Sequence, residues 1–153
     1  MNKRLFMVVL SLVLCLAFAL TAFSQMKPDV MVKQRQAAMT LQGKYFGPLA
    51  GMAQGKVPYD KKIIVRNAGY LNVLNKMPWD GFDPSTANEK SAALPAIYSD
   101  NAKFKKAADD MQAAVVKLVS VSKGKNQAAT KAAIGAVGKA CGACHDNFRQ
   151  KPM

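Results

Sequence analysis

Apolar side chains recur at steps of three and four residues through four separate stretches of this chain. Such spacing places them on one face of an α-helix, and no stretch shows the sustained alternation that is typical of a β-strand. The 153 residues allow one ordinary domain. The turns after the first and third stretches are short and the crossing between the second and third is long. These features predict an all-α fold, an antiparallel four-helix bundle.

Proline, glycine and a capping aspartate mark the expected ends of the first two helices. The first is predicted from Pro28 to about Tyr45, because proline suits the first turn of a helix. Gly47-Pro48 is expected to kink or interrupt this helix, since proline removes a backbone hydrogen bond. Asp60 is a suitable N-cap for the second helix, which Pro78 is expected to end.

Residues 78–95 form a linker rich in proline, and a linker this long in a compact domain is often functional. Beyond it, Ser99 is expected to cap the third helix and Asn126 the fourth. The predicted stripe of the third helix is Phe104, Ala107, Met111, Val115, Leu118 and Ser122. That of the fourth is Thr130, Ile134, Val137, Cys141, Cys144 and Phe148.

The N-terminus has the three-part layout of a secretory signal peptide. A short basic start precedes an apolar run from Leu5 to Leu20, and small residues precede a cleavage point after Ser24. The alternative is a membrane anchor, but the run is shorter than the roughly 20 residues that span a bilayer. We therefore predict a cleaved signal over residues 1–24, a mature domain over residues 25–153, and a periplasmic protein with no membrane segment after cleavage.

The chain is strongly basic, with a formal net charge of +13. Loss of Lys3 and Arg4 with the signal lowers this to about +11. Because the lysines are spaced along the chain and the protein is exported, solvated helix faces are a better interpretation than a nucleic-acid surface. Electrostatic steering toward an acidic partner protein is the alternative.

The pentapeptide Cys141-Gly142-Ala143-Cys144-His145 is the strongest chemical signal in the sequence. The pattern C-x-x-C-H is typical of covalent attachment of a c-type haem. Two thiols three residues apart lie on one side of a helix, where they can add to the two vinyl groups of a haem, and His145 can reach the iron. The third cysteine, Cys15, lies in the predicted signal and is expected to leave with it. We predict one covalent haem per chain.

Three alternatives for the cysteine pair fit less well. A redox-active disulfide usually accompanies a βαβ pattern, which is absent from the sequence. A zinc site would need four ligands, and the mature chain offers only two cysteines and a single histidine. A structural disulfide between residues three apart on a helix has poor geometry.

The segment Cys141 to Arg149, at the extreme C-terminus, resembles the cytochrome c′ family, the class II c-type cytochromes. The segments Val32 to Met39, Met77 to Phe82 and Leu94 to Asp100 are also similar to that family. The resemblance implies a haem bound on the last helix of a four-helix bundle. It spans essentially the whole mature chain.

The resemblance also implies roles for three residues of the first helix. Arg35 matches an arginine that pairs with a haem propionate, and Gln36 matches a neighbour that lines the haem edge. Met39, one turn beyond Arg35, matches the position over the distal face of the iron. Further along, Trp79 and Phe82 match aromatic residues packed on the haem. Arg149 would stand near the proximal ligand His145, and Phe148 would pack on that side; an ordinary helix-end cation and core packing are the alternatives.

In this family the iron is five-coordinate and high-spin, with an apolar distal pocket that binds nitric oxide or carbon monoxide. We expect the same here, together with a capacity for electron transfer to a redox partner. The alternative is a low-spin electron carrier of the same fold with Met39 as the sixth ligand. An enzyme is not expected, because no second cluster of titratable residues accompanies the haem motif.

The resemblance further implies a homodimer built through the first and second helices. The first helix has more apolar side chains than one haem-facing stripe requires, although packing within the bundle explains them equally well. These residues are Met31, Ala38, Leu41 and Phe46.

Overall fold

The computed structural model describes residues 26–151, and the predicted signal peptide with Cys15 lies outside them. The helices within the described residues are α1 (Pro28–Ala53), α2 (Lys61–Leu74), α3 (Ala96–Ser99), α4 (Asn101–Ser122) and α5 (Gln127–Phe148). The four long helices form the bundle: α1 packs on α2 and α5, and α4 packs on the same two helices. Residues 26–151 contain no β-strand, so the predicted all-α four-helix fold is confirmed.

Side-chain caps begin three of the long helices. The Asp60 carboxylate accepts hydrogen bonds from the backbone N–H groups of Lys62 (2.8 Å) and Ile63 (3.1 Å), as predicted. The Asn126 side chain likewise accepts one from Ala129 (3.0 Å) at the start of α5. The predicted cap of the third long helix is wrong by one residue, because Ser99 ends the short helix α3. Asp100 caps α4 instead.

Helix α1 continues through Gly47-Pro48 to Ala53, so the predicted interruption is wrong. Gly47 has no Cβ and therefore avoids the clash between a proline ring and the residue before it. Pro48 is exposed, so its ring lies on the solvent side of the helix. Leu49 and Met52 are buried, and they fix the last turns of α1 on the core.

The core runs along the bundle axis between the four long helices. Its most completely buried apolar side chains are Leu49, Ile64, Ala68, Leu71, Val115, Leu118, Ile134 and Val137. The predicted stripe of α4 is correct except at one position, where Ala108 is buried and Ala107 is half-buried. Ala107 instead packs on a second, smaller core cluster of Ile97, Phe104 and Phe148.

The two ends of the bundle are closed differently. At one end the ammonium group of Lys61 donates to the carbonyl of Lys123 (3.0 Å), which joins the start of α2 to the α4–α5 turn. At the other end the backbone of the long linker pairs with the end of α5. Leu94 N–H donates to Phe148 C=O (3.0 Å), and Gln150 N–H donates to Ala92 C=O (2.8 Å). The linker therefore covers the end of the bundle that carries the C-x-x-C-H motif.

Among the helices of residues 26–151, none combines the length and the apolar character needed to cross a bilayer.

Candidate haem site

The C-x-x-C-H motif occupies the last turns of α5, where Cys141, Cys144 and His145 are all half-buried. Their spacing of three and four residues gives them a common side of the helix. Two cavities adjoin the motif: Cys144 and His145 line both of them, and Cys141 lines one. The motif thus presents two thiols and one imidazole to the same interior space.

The first cavity has a volume of about 410 Å³ and lies between α1, the linker and the end of α5. Three polar side chains with long reach, Arg35, Gln36 and Arg149, border it. The rest of its wall is largely apolar and includes Met39, Phe82, Ala93, Ile97, Phe104 and Phe148.

The second cavity has a volume of about 360 Å³ and reaches toward the middle of the bundle. Its wall is formed by Met39, Thr40, Gln42, Gly43, Phe46, Trp79, Met111, Val137, Cys141, Cys144, His145 and Arg149. Met39, Thr40, Cys144, His145 and Arg149 line both cavities, so the two adjoin along the motif. The space beside the motif is therefore larger than either cavity alone.

Burial sets the protonation of the three donor side chains. It raises the pKa of the Cys141 and Cys144 thiols, and the nearby Cys141 raises that of Cys144 further. Burial lowers the pKa of His145; the positive charge of Arg149 lowers it further, whereas Asp146 acts in the opposite direction. His145 is therefore favoured as the neutral imidazole, the form whose free nitrogen lone pair binds a metal.

Arg35 is buried in α1 with only 3% of its surface exposed, and the linker surrounds its guanidinium. One terminal nitrogen donates to the carbonyl of Gly81 (2.5 Å) and to the hydroxyl of Thr86 (2.9 Å). The other donates to the hydroxyl of Ser91 (3.0 Å), and the group stacks on Phe82 at 4.4 Å from the ring centre. Arg35 thus ties the linker to α1, in addition to bordering the first cavity.

Aromatic side chains connect the linker to the motif helix. The rings of Phe82 and Phe104 meet edge to face at 4.9 Å, and Phe104 meets Phe148 in the same way at 5.3 Å. Trp79 lies 6.0 Å from Phe104, and its indole N–H donates to the carbonyl of Asn75 (2.5 Å). These contacts set both Trp79 and Phe82 in cavity walls.

The structure brings all nine predicted site residues to the walls of the two cavities. Arg35, Gln36 and Phe82 border the first, Cys141 and Trp79 the second, and Met39, Cys144, His145 and Arg149 both. Sequence reasoning missed Gln42, Phe46 and Met111 in the second cavity. Gln42 could have been found, because it is a polar residue one turn beyond Met39 on the inward face of α1.

This donor set fits a covalently attached haem. The two thiols can each form a thioether bond, the neutral imidazole can ligate iron, and the surrounding walls are mainly apolar. Arg35 and Arg149 place positive charge at the border of the first cavity, which suits the carboxylates of a haem. Among residues 26–151 no group of three or more His, Cys, Asp or Glu side chains forms an alternative metal site.

Comparison with known proteins agrees with this geometry. Residues 30–149 match the family model described as "Cytochrome C'". The cytochrome c′ of Rubrivivax gelatinosus is 44% identical over 126 residues, covering 82% of this chain and 98% of the relative.

Two solved structures have the same fold. The crystal structure of the Rubrivivax gelatinosus protein has a TM-score of 0.79 at 42% identity and covers 83% of this chain and 100% of the other. A nitric oxide complex of a variant of cytochrome c prime from Alcaligenes xylosoxidans has a TM-score of 0.77 at 38% identity, with coverages of 84% and 100%. Sequence match, fold and haem motif agree, and the chain belongs to the cytochrome c′ family, whose members hold a covalently attached c-type haem.

Proposed function

We propose that this chain is an exported cytochrome whose iron is five-coordinate and high-spin, with an open distal side that binds nitric oxide or carbon monoxide. The observation that carries the proposal is the make-up of the two cavity walls. His145 is their only imidazole, and no carboxylate side chain lines either cavity. When bound, the haem supplies an iron centre for small gases and one-electron transfer, while His145 provides the axial nitrogen.

The apolar part of the second cavity supports a site for a small, weakly polar molecule. Phe46, Trp79 and Val137 contribute carbon surface, which favours a diatomic gas over an anion or a larger polar ligand. A relative with the same fold has been solved as a nitric oxide complex, and this too supports gas binding here.

A low-spin electron carrier is the second candidate. Met39 lines both cavities together with His145, and its thioether is a ligand that iron accepts. A Met/His pair would raise the reduction potential and close the site to gas.

The optical spectrum of the purified holoprotein separates the two candidates. We expect the reduced protein to show a broad high-spin band that shifts when nitric oxide or carbon monoxide is added, in both the parent and Met39→Leu. Sharp, split low-spin bands that ignore gas in the parent, and that disappear in Met39→Leu, would favour the electron carrier. A folded protein that shows no haem absorbance after expression with the haem-attachment machinery would contradict both.

We further propose binding or electron transfer rather than turnover of a substrate. The single histidine of the chain belongs to the motif, so no second imidazole is available as a distal acid or base. With its excess of lysine, the protein would be steered toward an acidic redox partner, and this association should weaken as salt is added.

A homodimer through α1 and α2 is also proposed. Large apolar side chains exposed on these two helices and just after α2 are Leu41, Tyr70, Val73 and Met77. Of the four apolar residues noted in the sequence of the first helix, only Leu41 is exposed; Ala38 is buried, and Met31 and Phe46 are half-buried. We expect Val73→Asp to produce monomers in sedimentation analysis, whereas Val116→Asp on α4 leaves the assembly unchanged.

We also propose that the protein is exported and that its signal peptide is cleaved near Ser24. The mass of the protein isolated from the periplasm should equal that of residues 25–153 plus one haem. A protein that retains its first 24 residues would contradict cleavage and favour an anchored form.

A further inference from the structure

Gln42 is an amide buried inside the wall of an otherwise largely apolar cavity. Only 6% of the residue is exposed, and its side chain lines the second cavity beside Met39 and Phe46. Its amide nitrogen donates to the carbonyl of Leu74 (3.3 Å) and lies 3.9 Å from the sulfur of Met39. Its amide oxygen is buried without a hydrogen-bond partner.

The orientation of this amide follows from its neighbours. The NH₂ group has two hydrogens, and it faces two acceptors, the Leu74 carbonyl and the Met39 thioether. Turning the amide over would set its oxygen against both acceptors. The NH₂ group therefore belongs on the side of Met39.

An apolar side chain at this position would avoid the free-energy cost of burying the amide oxygen of Gln42 away from water. A buried carbonyl oxygen without a partner loses its hydrogen bonds to water and gains none in the fold. The amide bridges two elements instead: Leu74 is the last residue of α2, and its carbonyl accepts from Gln42 as well as from the backbone N–H of Met77 (3.2 Å), while Met39 is on α1.

We propose that Gln42 is a positioning residue that holds the Met39 thioether against the end of α2 and so keeps it from becoming the sixth ligand of the iron. This inference rests on the proposed five-coordinate function. Methionine has three rotatable side-chain bonds and adapts to many environments, so its position at a metal site depends on what restrains it. The bridge from Leu74 through Gln42 supplies that restraint, and it engages sulfur lone-pair density that a metal would otherwise use.

Four holoproteins test the inference: the parent, Gln42→Leu, the double variant Gln42→Leu with Met39→Leu, and Gln34→Leu. Gln34 is an exposed residue of the same helix and does not line either cavity, so it is a matched control. The readouts are the low-spin fraction in the optical spectrum of the reduced protein and the rate at which carbon monoxide binds.

We expect Gln42→Leu to raise the ratio of low-spin to high-spin iron by about two- to tenfold, the factor by which the loss of one hydrogen bond shifts an equilibrium. Carbon monoxide binding should slow in proportion to the closed fraction. The double variant should return to the high-spin spectrum, because no thioether remains at position 39, and Gln34→Leu should match the parent throughout.

Two results would overturn the inference alone. One is a high-spin parent whose spectrum Gln42→Leu leaves unchanged; the other is a low-spin component that persists in the double variant, because another ligand such as Met111 would then be responsible. If Gln42→Leu does not accumulate, Gln42→Ile removes the same donor and is judged by the same criteria. A parent that is itself low-spin and ignores carbon monoxide would overturn the proposed function, and the inference with it.

Discussion

Gly81 lies directly against Arg35, with no room between them for a side chain. A Cβ atom added to Gly81 would stand 2.8 Å from the Cβ of Arg35 and 2.9 Å from the carbonyl oxygen of Met31. This close approach lets the Arg35 guanidinium reach back to the carbonyl of Gly81. The linker and α1 are therefore joined by a backbone contact as well as by hydrogen bonds.

Gly81→Ala should destabilise the protein. The added methyl group would meet backbone and a buried side chain that cannot move aside freely, and such overpacking costs about 1–3 kcal/mol. The free energy of unfolding, from urea denaturation of the holoprotein, measures the effect. Gly69→Ala in α2 is the matched control: nothing lies within 4 Å of its added Cβ, and helix propensity predicts a gain of about 0.5–1 kcal/mol. An unchanged stability in Gly81→Ala would mean that the linker is free to shift.

Arg35→Met should loosen the linker. The substitution keeps much of the side-chain volume, but it removes the donors to Gly81, Thr86 and Ser91, and we expect a loss of about 2–4 kcal/mol. Trp79, the only tryptophan, reports on the linker, so its fluorescence in the haem-free protein should change as well.

Lys33→Met on the same helix serves as the comparison for Arg35→Met. Lys33 is exposed and pairs only with the exposed Asp29, so the urea midpoint should barely move. Equal losses in the two variants would mean that the contacts of Arg35 with the linker contribute no specific stability.

The sequence predicted the fold where local chemistry decides it. Asp60 and Asn126 cap their helices because a side-chain oxygen accepts from the first turn, a rule that depends only on neighbouring residues. Ser99 satisfied the same rule, but the preceding residues formed a helical turn of their own and moved the cap to Asp100. The interruption predicted at Pro48 was wrong for a tertiary reason, because burial of Leu49 and Met52 keeps α1 intact beyond the proline.

Pro48→Ala should stabilise the protein. The proline leaves the carbonyl one turn earlier without its helical donor, and alanine would restore that hydrogen bond. The more flexible unfolded chain offsets part of the benefit, which leaves a gain of about 1–2 kcal/mol in the free energy of unfolding. Pro28→Ala at the first turn of α1 is the comparison, because no helical hydrogen bond is missing there and no gain is expected. A loss of stability in Pro48→Ala would show that contacts of the proline ring stabilise the fold more than the restored helical hydrogen bond does.

The part of the site that lies on a single helix was predictable from the sequence. The spacing of Cys141, Cys144 and His145 is enough to place them on one side of α5. The polar partners of Arg35, by contrast, come from a linker whose path depends on the aromatic contacts beneath it. The inward position of Gln42 could be read from its spacing to Met39, but its hydrogen bond could not, since the partner Leu74 is 32 residues away in sequence.

His145→Ala should leave the haem attached but change its spectrum. Cys141 and Cys144 remain available to form the two thioether bonds, while the walls of the two cavities lose their only imidazole. We expect the mass of one haem to persist in the denatured protein and the visible bands of the folded protein to shift in both oxidation states. Asn147→Ala is the control, because its exposed amide donates only to the carbonyl of Ala143 on the same helix. A visible spectrum identical to that of the parent would rule out His145 as the axial ligand, and loss of the haem mass would mean that attachment itself depends on the imidazole.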